Sequence, residues 1–304
     1  MEKNMQENFK KLERRLIDTF NNTDLERINY ELSKISDATL VSGVGGSSVV
    51  SEYATKILAS KNNIITRNTE PRDFKYMNIN KYKNVLVCSY GGRNYGVELA
   101  LLNDLKHYLL ANKKSDREDV INLNYNNEDI EKSFISLGAT LIPCSILLNY
   151  YLDNDKERII DKLDSYKFNF DTTCDAYEIF SGLETSTASK YLESTMIESG
   201  IGIPIIHDKY DYCHGRSTIS TVFNNIAIYF NGNTELDKLY LEELPKYYKD
   251  IIVMDYKNDF IEEFSLLLKC MYLTKYIAES KQKDLSGVDY NPIVKKIYKY
   301  NGNL

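Results

Sequence analysis

Two glycine-rich turns decide the predicted fold: LVSGVGGSSVV at residues 40–50 and VLVCSYGGRNYG at residues 85–96. In each stretch an apolar run breaks into Gly and Ser and then resumes with helical spacing. A buried parallel strand passes into a helix in this way, and the N-terminus of such a helix can hold an anion. Two such turns at the carboxyl ends of neighbouring parallel strands would face one crevice. Tight turns for helix-on-sheet packing are the alternative interpretation.

The composition is that of a globular protein. The chain has 304 residues, of which 43% are hydrophobic, and a formal net charge of -6. Its length favours two domains of about 150 residues each. Phosphate-backbone binding needs a basic surface, so the charge argues against a nucleic-acid partner. The five cysteines never form a C-x-x-C pair, which predicts reduced thiols in a cytoplasmic protein.

No targeting or membrane segment is expected. The chain opens with MEKNMQENFKKLERRL, which is charged from the second residue onward. The longest apolar run, ATLIPCSILLNYYL, contains Pro143 and is too short to cross a bilayer.

Strand and helix patterns alternate along the chain, which predicts an α/β fold with mostly parallel sheets. The alternation of strand and helix patterns starts again near residue 168. We therefore expect N-terminal helices in 1–36, one domain in 37–167 and a second in 168–304. The predicted elements are two helices within 5–36, strands 38–43, 62–66, 84–89, 119–124, 139–143, 176–182, 203–207, 225–230 and 250–254, and helices 46–60, 94–111, 153–167, 186–199 and 258–279.

Three segments together resemble the sugar isomerase (SIS) domain family. SGVGGSS and SYGGRN are similar to its paired phosphate-binding turns, and YLESTMIESGIGIPIIHDKYDYCHGRST, residues 191–218, is similar to its active-site segment. The pattern is most similar to the isomerase half of glucosamine-6-phosphate synthase and to two-domain phosphoglucose/phosphomannose isomerases. The resemblance implies two tandem SIS domains, each with a five-stranded parallel sheet flanked by helices.

The resemblance also implies a catalytic trio. In the family, a helical Glu moves a proton between C1 and C2, and a His in an H-G turn sixteen residues later opens the sugar ring. Glu198 and His214 stand at that spacing, and His214 is followed by Gly215. A C-terminal Lys is the third member, and DYNPIVKKI at 289–297 places Lys295 there, with Lys296 as the alternative.

These residue types suit the chemistry of aldose–ketose conversion. One carboxylate can remove the proton next to a carbonyl and return it to the adjacent carbon. A histidine titrating near neutrality can shuttle protons during ring opening, and a lysine can offset charge on an enediolate oxygen. No cofactor is expected, and we identify no cluster of His, Asp and Glu typical of a metal site.

The predicted ligand contacts follow the same resemblance. They are Gly45, Gly46, Ser47 and Ser48 in the first turn, Ser89, Tyr90, Gly91, Gly92, Arg93 and Asn94 in the second, and Gly215 and Arg216 beside His214. The second turn departs from the family pattern S-x-S-G-x-T/S, because two hydroxyl residues are lost and Arg93 is gained. Arg93 could replace them with a bidentate charge, or the pocket could accept a ligand with a different phosphate or none.

Alternatives remain at single positions. Glu193 lies five residues before Glu198 on the same predicted helix, and a lone Glu on such a helix is usually solvated. His207, in the apolar run IGIPIIHD, is interpreted as a buried histidine at a strand end rather than a catalytic one.

Three functions fit the sequence. The first is a metal-free isomerase of a phosphorylated hexose or amino sugar, and the second is an amino-sugar deaminase or an isomerase of a non-phosphorylated or nucleotide-linked sugar. The third is a non-catalytic sugar-phosphate-binding protein. In the family the H-G loop enters the neighbouring subunit's site, so a homodimer with composite sites is expected. The apolar helix at 260–277 gives weak further support for a dimer, although internal packing would also explain it.

Overall fold

The computed structural model describes residues 11–92, 94–129, 137–222 and 224–287. The helices are α1 (Leu12–Asn22), α2 (Leu25–Ser33), α3 (Ser47–Asn62), α4 (Tyr95–Ala100), α5 (Leu137–Tyr151), α6 (Glu157–Ile160), α7 (Ser186–Ser199), α8 (Glu235–Glu243) and α9 (Phe260–Ser280). The strands are β1 (Thr39–Ser42), β2 (Thr66–Asn68), β3 (Asn84–Cys88), β4 (Lys106–Ala111), β5 (Val120–Asn124), β6 (Ala176–Ser181), β7 (Ile203–Asp208), β8 (Asn225–Asn231) and β9 (Ile251–Asp255). Short 3-10 turns cover Pro71–Tyr76, Ile79–Lys81, Leu183–Thr185, Arg216–Thr221 and Leu244–Lys246.

The strands form two parallel sheets, which confirms the predicted α/β class. The first has the order β2-β1-β3-β4-β5 and the second the order β7-β6-β8-β9. The second sheet therefore has four strands in the described part of the chain, one fewer than expected. Residues 256–259 alone join β9 to α9, and this link leaves no room for another strand between them.

One hydrophobic core joins the two sheets. It contains residues from the inner faces of both sheets and from α3, α5, α7 and α9. Helix α9 packs against α7 and α5, so its apolar composition reflects burial within this chain. The apolar composition of α9 therefore gives no support for a dimer. No helix in the described ranges is long and apolar enough to cross a membrane.

The predicted helix 94–111 is wrong in its second half. Helix α4 ends at Ala100, and Lys106–Ala111 is instead the buried strand β4. Asn103 makes the break, because its side chain donates to the carbonyl of Ala100 at 2.8 Å and accepts from the amide of Leu105 at 3.0 Å. Asn side chains compete with helical backbone bonds in this way, and the apolar pattern alone did not reveal it.

The predicted strand 139–143 is also wrong, because these residues belong to helix α5. Thirteen of its fifteen residues are buried, so it shows no polar face. Without a polar face, periodicity cannot separate a buried helix from a buried strand.

Two smaller predictions also need correction, and one helix was not predicted. The helix predicted at 153–167 is only the short α6, and the strand predicted at 62–66 begins at Thr66 because α3 continues to Asn62. Helix α8 was not predicted, although Thr234 and Asp237 form a capping box at its start. A capping box is a sequence signal for a helix N-terminus.

Asp237 anchors α8 to the second sheet. Its carboxylate accepts from the Lys209 ammonium at 2.8 Å, the Tyr229 hydroxyl at 2.6 Å and the Thr234 amide at 2.9 Å, and only 2% of the residue is exposed. Burial alone would raise the pKa of Asp237, but these donors lower it to about 2. The ionised carboxylate is therefore part of the native packing.

Asp237→Asn should lower the free energy of unfolding at pH 7 by about 3–5 kcal/mol, the usual cost of breaking a buried ion pair. The folded pKa of Asp237 is about 2, and the unfolded pKa lies near 4, so the stabilisation is present above pH 4 and is lost as the pH falls from 4 to 2. Urea unfolding across this range checks both points. The exposed Asp161→Asn is the matched control, and a pH-independent difference for Asp237→Asn would contradict the account.

Candidate functional site

A pocket of about 220 Å³ lies where the first glycine-rich turn meets helix α7. We call it the Glu198 pocket. Its lining residues are Val44, Gly46, Ser47, Val49, Ala139, Thr140, Tyr191, Ser194, Thr195 and Glu198. The pocket thus combines the first turn, the start of α5 and the C-terminal half of α7. The structure brings Glu198 together with two of the predicted first-turn residues, Gly46 and Ser47.

The first turn depends on glycine for its shape. Gly45 has a φ of +60°, a region that side chains disfavour. A Cβ on Gly43 would lie 2.2 Å from the backbone oxygen of Ser47, so the chain could not fold back so closely with any other residue there. The amides of Ser47 and Ser48 donate to the carbonyls of Val44 and Gly45 at 3.3 and 2.9 Å.

Glu198 is held by its own helix. The Ser194 hydroxyl, one turn earlier, donates to Oε1 of Glu198 at 2.9 Å. The carboxylate lies in the last turn of α7, where the helix dipole disfavours negative charge, but it shares the pocket with the N-terminal turn of α3, where the dipole favours it. Of the two candidate carboxylates, Glu198 lines the pocket and Glu193 does not.

The second turn lies beside the first, as predicted. Strands β1 and β3 are parallel neighbours, with Ser42 opposite Val87. A Cβ on Gly96, at the start of α4, would lie 2.5 Å from Cγ2 of Val44. The two turns are therefore in direct contact at the carboxyl edge of the first sheet.

Ser89, Tyr90 and Asn94 of the second turn all make bonds with residues in the first half of the chain. Ser89 Oγ accepts from the Gly92 amide at 3.1 Å, and Asn94 Oδ1 caps α4 by accepting from the Val97 amide at 2.9 Å. The Tyr90 hydroxyl accepts from the side chain of Asn127 at 2.9 Å. None of the described second-turn residues, which include Gly91 and Gly92, lines the Glu198 pocket. Arg93, like Lys295 and Lys296, lies outside the described residues.

His214 is placed away from the Glu198 pocket. It lies on an exposed loop, residues 209–222, which follows β7 and which we call the His214 loop. The loop packs through Tyr212 on the outer face of the second sheet, against the cluster that contains Phe180. Helix α7, with Glu198, packs in the central core on the inner face. The second sheet therefore separates the two residues within one chain.

Gly215 and Arg216 lie in the same loop as His214. Gly215 has a φ of +97° and turns the loop. Arg216 Nε donates to Nδ1 of His207 at 3.0 Å, and its guanidinium also donates to the carbonyl of Ile206 at 2.7 Å. Neither residue lines the Glu198 pocket. The interpretation of His207 as a buried histidine is confirmed, because it is 1% exposed and bonds to Glu178.

Two residues that line the pocket with Glu198, Thr140 and Ser194, were not predicted from the sequence. Thr140 was overlooked because its segment was assigned to a strand rather than to α5. Ser194 was identifiable in principle, because four residues separate it from Glu198 and that spacing puts both on one helical face. In the described ranges, no group of three or more His, Cys, Asp and Glu residues is placed to hold a metal ion.

Several solved structures share this fold. Tagatose-6-phosphate ketose/aldose isomerase from Escherichia coli aligns with a TM-score of 0.70 at 12% identity, covering 94% of this chain and 96% of that one. Glucosamine-6-phosphate deaminase from Thermotoga maritima aligns with a TM-score of 0.67 at 16% identity, covering 90% of this chain and 95% of that one. The C-terminal domain of glucosamine-fructose-6-phosphate aminotransferase from Francisella tularensis aligns with a TM-score of 0.69 at 10% identity, covering 93% of this chain and 98% of that one.

The chain has the fold of these sugar-phosphate proteins. The identities are too low to transfer an activity, so the alignments establish architecture. No protein-family model and no curated protein matches the chain by sequence. The predicted resemblance is thus confirmed at the level of the fold and its two parallel sheets.

Gly43→Ala should destabilise the protein by about 1–3 kcal/mol, because the new methyl group would overlap the backbone of Ser47 and force the first turn open. Gly91→Ala is the matched control in the second turn, since no described residue apart from its two chain neighbours lies within 4 Å of its Cβ position. Chemical denaturation of both variants measures the difference. Equal stabilities would show that the first turn is not constrained at Gly43.

Proposed function

We propose that this protein is an aldose–ketose isomerase acting on a phosphorylated hexose or amino sugar, with Glu198 as the proton-transfer residue. One observation carries the proposal: the carboxylate of Glu198 and the predicted sugar-binding turn line the same pocket. The shared fold with an isomerase and with the aminotransferase domain named above supports the substrate class.

The geometry suits transfer of one proton between adjacent carbons. Glu198 removes a proton next to the sugar carbonyl and returns it to the neighbouring carbon, so a single carboxylate acts first as base and then as acid. Ser194 holds Oε1 and fixes the orientation of the carboxylate. Ser47 and Thr140 also line the pocket, and their hydroxyl groups suit the polyol chain of an open sugar.

An amino-sugar deaminase is the second candidate. A solved structure of the same fold is named a glucosamine-6-phosphate deaminase, and proton transfer next to a carbonyl or imine serves both reactions. Release of ammonium from an amino-sugar phosphate separates this candidate from a simple isomerase.

Glu198→Gln should lower kcat at least about 100-fold, because general acid–base catalysis contributes about that much or more. The amide keeps the shape of the side chain, so ligand binding should survive. A thermal-shift screen of hexose 6-phosphates and amino-sugar phosphates identifies the ligand, and turnover of that ligand measures kcat.

Glu193→Gln is the matched control, because it removes a carboxylate from the same helix but outside the pocket. If the activity of Glu198→Gln were within tenfold of the wild type, Glu198 would not be the proton-transfer residue. Ligand binding by the wild type without any turnover would instead indicate a non-catalytic sugar-phosphate-binding protein.

We further propose that His214 acts in the site of a neighbouring copy, in a twofold homodimer. The support is its placement: His214 is exposed, and the second sheet separates its loop from Glu198 of the same chain. A twofold contact would use the same surface of both copies and would complete two equivalent sites.

Mixing Glu198→Gln with His214→Ala should restore activity if the sites are composite. After subunit exchange, heterodimers contain one site with both residues intact, so activity should recover to between about a quarter and a half of the wild type, a yield set by the twofold symmetry. Sedimentation of the mixture establishes exchange. No recovery despite proven exchange, or a fully active monomer, would show that one chain builds the whole site.

A further inference from the structure

A buried carboxylate lies beneath the His214 loop. Glu178, on β6, is 0% exposed. Its Oε2 accepts from Nε2 of His207 at 2.7 Å, the hydroxyl of Tyr248 at 2.8 Å and the hydroxyl of Ser220 at 3.1 Å. Its Oε1 accepts from the side-chain amide of Asn225. Burial alone would raise the pKa of Glu178, but these donors bring it below its ordinary value.

One chain of hydrogen bonds leads from Glu178 to the C-terminal side of His214. Arg216 Nε donates to Nδ1 of His207 at 3.0 Å. A guanidinium has no acceptor, so Nδ1 accepts and the ring carries its proton on Nε2, which donates to Glu178. Arg216 also donates to the carbonyl of Ile206 at 2.7 Å, so two bonds hold its guanidinium on β7.

A second chain leads from Glu178 to the N-terminal side of His214. The hydroxyls of Ser220 and Tyr248 both donate to Glu178, and the Tyr212 hydroxyl lies within hydrogen-bond distance of each, so its one proton is donated to one of them at a time. The ring of Tyr212 also packs edge-on against His207, with ring centroids 5.0 Å apart. Tyr212 is therefore fixed by its ring and by its hydroxyl.

His214 stands midway between these two anchors. Tyr212 precedes it by two residues and Arg216 follows it by two. Backbone bonds close the segment, from the Ser217 amide to the carbonyl of Tyr212 at 3.2 Å and from the His214 amide to the carbonyl of Asp211 at 2.9 Å. An exposed segment is thus tied on both sides to one buried group.

The energetics indicate a role beyond stability. Burying a carboxylate costs several kcal/mol, and well-packed apolar residues often stabilise a core as well or better. A buried polar network instead fixes one arrangement of the groups that bond to it. Here the groups fixed at the protein surface are the two anchors of the His214 loop.

We propose that Glu178 is a positioning residue for His214. Through His207 and Arg216 on one side, and through Ser220 and Tyr212 on the other, it holds the loop in the conformation that presents His214. The proposal rests on the proposed function of His214. Ordering the loop in advance removes an entropic cost that would otherwise arise when the bound ligand reaches the productive geometry.

Hydrogen exchange of the intact protein tests the proposal without requiring turnover. Glu178→Gln removes the charge and presents an amide to the existing donors, and Arg216→Ala cuts one chain at an exposed residue whose replacement leaves the core intact. In both variants, amides of residues 209–222 should exchange at least about tenfold faster, because local opening becomes easier. Exchange in α7 should not change.

Activity supplies the second readout. Both variants should lose kcat at least about tenfold while ligand affinity at the Glu198 pocket is retained, since loop order affects the productive complex rather than the pocket. Glu263→Gln is the matched control: it alters a buried carboxylate paired with Lys56 in the central core and should lower stability without changing exchange in the His214 loop. If Glu178→Gln fails to fold, Arg216→Ala still decides the question.

Wild-type exchange across 209–222 in Arg216→Ala would overturn the positioning role, and so would a mobile loop combined with unchanged kcat. A catalytically normal Glu198→Gln would refute the proposed function instead, and it would leave the exchange result standing.

Discussion

The antiparallel packing of α3 against α7 is the contact on which the candidate site depends. Near the start of α3, Ser47 meets the C-terminal half of α7 with Ser194 and Glu198. Farther along α3, Glu52 accepts from Ser186 at the start of α7 at 3.0 Å. This arrangement sets the anion-favouring end of one helix against the carboxylate of the other.

A largely buried ion pair joins α3 to α9. Lys56 of α3 bonds to Glu263 of α9, and its ammonium also lies 3.5 Å from the carbonyl of Glu184. Burial raises the pKa of Glu263, and the nearby Lys56 charge opposes that effect. A pair of this kind is a weak source of stability, but it disfavours alternative packings because sliding either helix would leave a charge unpaired. Helix α3, which carries Lys56, also lines the Glu198 pocket.

The four strands of the second sheet follow the same order as the first four of the first sheet, but the two halves use their glycine turns differently. In the first half the turn at Gly46 opens into a pocket. In the second half the equivalent turn at Gly182 is filled, because the carboxylate oxygens of Glu184 lie 2.6 and 2.7 Å from the Cβ position of Gly182. Tyr256 donates to this carboxylate and holds it there. The Glu184 carboxylate thus occupies the space beside the second-half turn, whereas the first-half turn lines the Glu198 pocket.

The sequence by itself determined the α/β class, the two glycine turns on neighbouring strands and the helix that carries Glu198, because apolar periodicity and glycine positions act over a few residues. Only the tertiary structure decided that α5 is a helix and that β4 is a strand, since a fully buried segment has no polar face to reveal its period. It also decided that Glu198 rather than Glu193 meets the first turn and that Arg216 bonds to His207. Those outcomes depend on contacts between residues far apart in the chain, which no local pattern encodes.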